Sequence, residues 1–181
     1  SQLAIAEEWT RNAPGVDRIR FEFADYHALP YGDSSFDVYW CQDSLLFSTD
    51  KPRALAEAAR VVRPGGTIAI SDLVVVGTPA PDAAALLTAI SAPGFWSAED
   101  YREGLEAAGF GEILVEDWSR HALPSFDRLT ADIAAKRARL AAIASEADVA
   151  ETLERYALWC KATRTGNLGW VAFVGTRLKG P

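Results

Sequence analysis

Apolar side chains recur along this chain at two spacings, about every third or fourth residue in some stretches and every second residue in others, so helices and strands alternate. Residues 1–13 place Leu3, Ile5, Ala6 and Trp9 at helical spacing until Ala13-Pro14-Gly15 ends the pattern. Ile19 to Ala24 alternates charged with apolar residues and predicts a strand; Phe36 to Cys41 predicts a second, more buried one. Lys51-Pro52 opens a helix with Leu55, Ala58, Ala59 and Val62 on one face, proline lying in its first turn. Arg63-Pro64-Gly65-Gly66 then reads as a turn into the strand Thr67–Leu73.

Gly77 to Pro81 reads as loop, 82–90 as a short Ala/Leu-rich helix, and Ala92-Pro93-Gly94 as a break. Ser97-Ala98-Glu99-Asp100 has the spacing of a helix cap, and that helix runs to Ala108 before Gly109, suited to a left-handed cap. Ile113 to Trp118 predicts a strand, 126–144 and 147–163 two helices, and Gly169 to Leu178 a last strand. The alternation of strands and helices argues an α/β fold with a mostly parallel sheet in one domain spanning 1–181.

Composition narrows the class of partner. With 18 basic against 25 acidic residues the net charge is -7, which disfavours nucleic acid or an anionic membrane as partner and favours a small molecule. No apolar run is long enough to span a membrane and no secretory leader is evident, so a cytoplasmic location is expected. Cys41 and Cys160 lack metal-ligand spacing, and no metal is expected. The chain contains no methionine, even at its first position. It reads as a processed or truncated fragment, or as one whose methionines were lost by modification.

Asp25 stands at the end of an expected strand, followed by Tyr26-His27-Ala28-Leu29-Pro30-Tyr31, the strand Phe36-Asp37-Val38-Tyr39-Trp40, and later Arg63-Pro64-Gly65-Gly66. In order and spacing these pieces resemble the class I S-adenosylmethionine-dependent methyltransferases. Leu158-Trp159-Cys160-Lys161 through Trp170, with Trp40-Cys41-Gln42-Asp43-Ser44-Leu45-Leu46, is similar to segments of sarcosine and dimethylglycine N-methyltransferases. The resemblance implies a Rossmann-like sheet whose final strand inserts antiparallel between its neighbours, lacking the family's first strand-helix-strand unit and its glycine-rich turn. It implies S-adenosylmethionine as cofactor, S-adenosylhomocysteine as product, and a small-molecule methyl acceptor. The helices within 82–108 and 120–166 would lie on the substrate side. The missing segment would belong to the same domain, and a homo-oligomer is compatible with the pattern.

By the same resemblance, Asp25 accepts a hydrogen bond from the adenine amino group, with Tyr26, Cys41 and Gln42 beside the cofactor. Gln42, Asp43 and His121 are the candidate catalytic groups. For each a blander reading stays open: a solvated turn acid for Asp25, loop polarity for Gln42 and Asp43, an exposed histidine for His121. His27 either covers the adenine ring or lies exposed; Asp72 either faces the acceptor or caps a turn. Tyr156, Trp159 and Trp170 either form a cage for a methylated ammonium or belong to the core. Arg120, Lys161 or Arg164 could hold a substrate carboxylate or be surface charge. Phe47 stands where related enzymes often have histidine. A hydroxyl acceptor needs a general base and a neutral amine does not, so Phe47 favours an amine nitrogen. The alternatives are natural-product O- or C-methyl transfer, and a non-methylating relative acting as a cofactor-binding scaffold or cyclase.

Overall fold

The computed structural model describes residues 2–78, 84–85, 87–88 and 94–179. Six helices are named here: α1 (Gln2–Thr10), α2 (Lys51–Val61), α3 (Ala98–Ala107), α4 (Ser119–Ala135), α5 (Arg137–Ala141) and α6 (Glu146–Arg164). The four strands are β1 (Phe36–Gln42), β2 (Val62–Val75), β3 (Phe110–Asp117) and β4 (Leu168–Arg177). They form one sheet of order β1-β2-β4-β3. β1 and β2 are parallel, and β4 runs antiparallel between β2 and β3, as the family resemblance implies.

Helix starts follow side-chain chemistry. Asp50 accepts the Arg53 amide at 3.1 Å ahead of α2, with Pro52 in its first turn. Ser97 and Asp100 form a reciprocal capping box for α3. Ser145 accepts the Asp148 amide at 3.1 Å to open α6. The expected helix over 126–144 divides instead into α4, which begins directly after β3, and the short α5. Pro124 lies in the second turn of α4, where its missing N–H removes a single early bond and does not set the start. The expected helix at 82–90 lies largely outside the described residues.

One strand expectation is corrected. Residues 19–24 join no ladder among the described residues, and Phe23 is 91% exposed. A strand exists only through hydrogen bonds to a neighbour, which alternation alone does not supply. β1 is the more buried of the two stretches through Tyr39 and Cys41 alone, since Trp40 is 73% and Val38 54% exposed. α2 and α3 cover one face of the sheet, packing on Ile68, Ile70 and Phe173. Strand alternation puts Val38, Trp40, Leu114 and Val174 on the other face, which is apolar and open.

The Pro-Gly-Gly turn is a bulged ladder. Phe36 pairs with Val62 and Val38 with Thr67, so β2 advances further than β1 across this interval. Gly66 is required there because a Cβ would stand 2.7 Å from the Asp37 carbonyl oxygen and from Val62.

Asp72 is fully buried in β2, its Oδ2 accepting from Tyr101 Oη at 2.7 Å and its Oδ1 from the Leu73 amide at 2.9 Å. It therefore braces α3 against the sheet. Burial pushes its carboxyl up to about 6 from the ordinary 3.8, against the opposing hydrogen bonds. The folded state holds the proton where the unfolded chain has released it. This contribution is complete below the unfolded value and is lost as pH rises through the folded one. The loss amounts to about 2–3 kcal/mol. Denaturant titrations on either side of this interval should show wild type losing that much relative to Asp72→Asn; an identical pH dependence in the variant would contradict the assignment.

Candidate active site

The loop carrying Asp25 is fastened to α2 by one guanidinium. Arg60 Nη1 donates to the Tyr31 carbonyl at 2.7 Å and to Asp33 Oδ1 at 2.8 Å; Nη2 donates to the Leu29 carbonyl at 3.1 Å and to Glu57 Oε1 at 2.7 Å; Nε donates to Glu57 Oε2 at 2.9 Å. Glu57 also accepts the Leu29 amide at 2.8 Å. A planar fork with five donors suits such a clamp. Within the loop, Asp25 Oδ1 takes the His27 amide at 2.8 Å and lies 2.8 Å from Nδ1. The backbone bond first, and the ring second, hold its carboxyl below the usual aspartate value. His27 Nε2 is 2.8 Å from Ser48 Oγ, which fits a ring donating at Nδ1 and accepting at Nε2. The Asp25 carboxylate stays exposed, an oriented acceptor available to an amino group.

Asp43 follows β1 at the carboxyl end of the parallel strands, where open α/β sheets place their ligands. Its backbone is left-handed, φ 49°, a conformation aspartate tolerates better than most residues. Its amide donates to the Ser71 carbonyl at 2.8 Å. Oδ1 accepts from Trp170 Nε1 at 2.9 Å and from Ser71 Oγ at 3.3 Å. Burial raises its carboxyl above the usual value, more than these donors lower it.

Asp43 borders a cavity of about 480 Å³. Leu46, Phe47, Leu73 and Trp170 form its sheet side, while α4 and α6 close over it with Phe126, Leu129, Tyr156 and Trp159. Phe126 and Trp159 rings lie 5.4 Å apart and Tyr156 and Trp159 rings 5.0 Å apart, the latter pair edge-on. Ser125, Thr152 and Arg155 complete the polar lining.

The structure brings together Asp43, Tyr156, Trp159 and Trp170 in one cavity. Gln42 is exposed and lines a different, apolar groove of about 450 Å³ on the open face of the sheet, while its side chain also hydrogen-bonds Asp43. Tyr26 packs against the core. Cys41 points into the core, where burial pushes its thiol up to about 11. His121 is exposed on the first turn of α4, its Nε2 accepting from Arg120 Nε at 2.9 Å, and does not line the cavity. Arg164 donates to Asp127 at 2.7 Å. Asp72 is committed to Tyr101. Ser71, Phe126, Leu129 and Arg155 were not legible as site residues. Phe126, Leu129 and Arg155 lie on one wall formed by two helices, a pairing that local spacing does not encode. Among the described residues no cluster of His, Cys, Asp and Glu could hold a metal, and no helix is long and apolar enough to cross a membrane.

Comparison with known proteins gives this geometry a lineage. The Methyltransferase domain family matches residues 1–70. Methyltransferase GfsG of Streptomyces halstedii is 35% identical over 140 residues, 71% of this chain and 50% of that protein. The 27-O-demethylrifamycin SV methyltransferase of Amycolatopsis mediterranei is 35% identical over 131 residues, 70% of this chain and 48% of that protein. The sarcosine/dimethylglycine N-methyltransferase of Halorhodospira halochloris is 31% identical over 162 residues, 88% and 58% respectively. The chain thus spans about half the length of these relatives. A Galdieria sulphuraria protein, provisionally a sarcosine dimethylglycine methyltransferase, superposes with a TM-score of 0.87 at 21% identity, covering 99% of this chain and 66% of its own; it shares the fold.

Removing the Arg60 clamp should free the loop without unfolding the sheet. In Arg60→Ala, amide exchange at Leu29 and Ser34 should accelerate by about tenfold while β2 and β4 amides keep their protection. Uniform acceleration throughout would show that Arg60 supports the whole fold instead.

Proposed function

Because the chain belongs to the class I S-adenosylmethionine-dependent methyltransferases, we propose that it transfers the cofactor's methyl group to a hydroxyl oxygen of a largely apolar acceptor of natural-product size. The observation that carries this reading is the cavity at Asp43. Its volume of about 480 Å³ is in the range of sites for drug-sized ligands, and its walls are mainly Leu, Phe, Tyr and Trp. A small amino acid would leave most of that apolar surface uncovered. The Amycolatopsis relative, named for O-methylation of a rifamycin, supports the same acceptor class.

When bound, S-adenosylmethionine supplies an electrophilic methyl on a sulfonium whose thioether leaves readily. Asp25 would accept a hydrogen bond from the adenine amino group, on a loop held by Arg60. Asp43 takes the hydroxyl proton on its carboxylate, whose Oδ1 is held by Trp170 and Ser71. Its raised basicity suits that task. This supplies the base that Phe47 lacks. The apolar walls of α4 and α6 exclude water and orient the acceptor, the main source of rate in such a displacement.

The aromatic group Phe126, Tyr156 and Trp159 beside Asp43 supports a second reading, an amine acceptor that becomes cationic on methylation. Methyl-labelled S-adenosylmethionine distinguishes the two. Label should pass to hydroxyl-bearing polyketide-sized compounds and not to sarcosine or dimethylglycine; the reverse would establish the amine reading. Asp43→Asn should lower kcat on the hydroxyl acceptor by about a hundredfold without changing cofactor affinity. By calorimetry, Asp25→Ala should weaken S-adenosylhomocysteine binding at least about tenfold with an unchanged melting temperature. Normal affinity in that variant would remove Asp25 from the cofactor site.

A further inference from the structure

We infer that Trp170, with Ser71 as a weaker partner, is the positioning residue of Asp43: its indole N–H holds the carboxylate by Oδ1 and sets its basicity. The inference rests on the proposed role of Asp43 and extends it to residues that act through that carboxylate.

The contacts are asymmetric. Trp170 Nε1 donates to Oδ1 at 2.9 Å and Ser71 Oγ to the same oxygen at 3.3 Å. The donor is itself held at both backbone groups. The Trp170 amide donates to Ser119 Oγ at 3.1 Å, and its carbonyl accepts the Trp118 amide at 2.8 Å. The Trp118 and Trp170 rings meet edge-on at 5.8 Å. A donor anchored from the β3–α4 junction thus reaches a carboxylate at the end of β1, while the Asp43 amide is tied to β2 through the Ser71 carbonyl. With its backbone left-handed and one oxygen doubly bonded, Asp43 has little freedom to rotate. A group held this way needs no reordering when the acceptor arrives.

The other ionisable groups facing Asp43 among the described residues are Cys41 on its own strand, Asp72 on β2, and Tyr156 and Arg155 on α6. Cys41 and Tyr156 are held protonated by burial, and Asp72 is engaged by Tyr101. The hydrogen bonds to the Asp43 side chain that favour its charged form come from Trp170 first, then Ser71, then Gln42. Removing the indole donor destabilises the carboxylate and raises its pKa further.

The test is a carbon-detected NMR titration of the Asp43 carboxyl, identified by its loss in Asp43→Asn, in the full chain and in Trp170→Phe and Ser71→Ala. Phenylalanine keeps a ring at the site and removes the donor. The Asp43 midpoint should lie above 3.8 in wild type, move upward in Trp170→Phe and move upward less in Ser71→Ala. The Trp170 indole N–H resonance should titrate with the same midpoint and cease to do so in Asp43→Asn. With turnover, the acidic limb of kcat/KM should follow the NMR midpoint upward, and kcat should fall about tenfold in Trp170→Phe with acceptor KM little changed. An indole resonance indifferent to Asp43, or an unshifted carboxyl midpoint in a folded Trp170→Phe, would overturn the inference. Full turnover in Asp43→Asn alongside the expected NMR coupling would instead overturn the role of Asp43 as base and leave the mount standing.

Discussion

The antiparallel insertion of β4 is the constraint from which the rest of the molecule follows. Its ladder with β2 runs unbroken from Thr67–Thr176 to Val75–Leu168, and its other edge pairs with β3. Because β4 runs against β2, its first residues lie where β2 ends. That is also the end of β1, and Trp170 is thereby brought to Asp43 across 127 positions of sequence. The cavity is the space left between this edge and α4 and α6, two of the three helices that join β3 to β4. Shifting the register of β4 by one residue would turn Trp170 to the opposite face and remove both the donor and a wall of the site.

A second constraint acts at the other end of the crevice. The loop from Asp25 to Ser35 has no regular structure of its own, yet Arg60 and Glu57 satisfy its carbonyls and one amide from α2. α2 is a buried amphipathic helix whose other face packs on Ile68 and Ile70. The loop is as well placed as that helix. His27 joins it to Ser48, beside the turn that contributes Leu46 and Phe47 to the cavity. The two halves of the proposed site are thus connected through short polar contacts rather than through a shared element.

Much of the architecture was legible from the chain. The helix cap at Ser97, the start of α2 at Lys51-Pro52, the strands over β1 and β2, and the antiparallel last strand follow from local chemistry or from the family pattern. The misreadings share a cause. Residues 19–24 alternate like a strand, but strand pairing depends on what lies alongside. The bulge at Gly65-Gly66 depends on the approach of Asp37, which the turn motif does not reveal. At the site, Asp43 and the aromatic residues stood out by type and position. The contact between Trp170 and Asp43, and the wall built by Phe126 and Leu129, arise from tertiary packing that a linear pattern leaves open.

The most direct measurement is a crystal structure of the chain with S-adenosylhomocysteine bound. The account predicts the adenine amino group on Asp25 and the sulfur at the mouth of the cavity facing Asp43, with α4 and α6 enclosing the space beyond it. A ligand lying elsewhere, or one whose sulfur points away from Asp43, would contradict it.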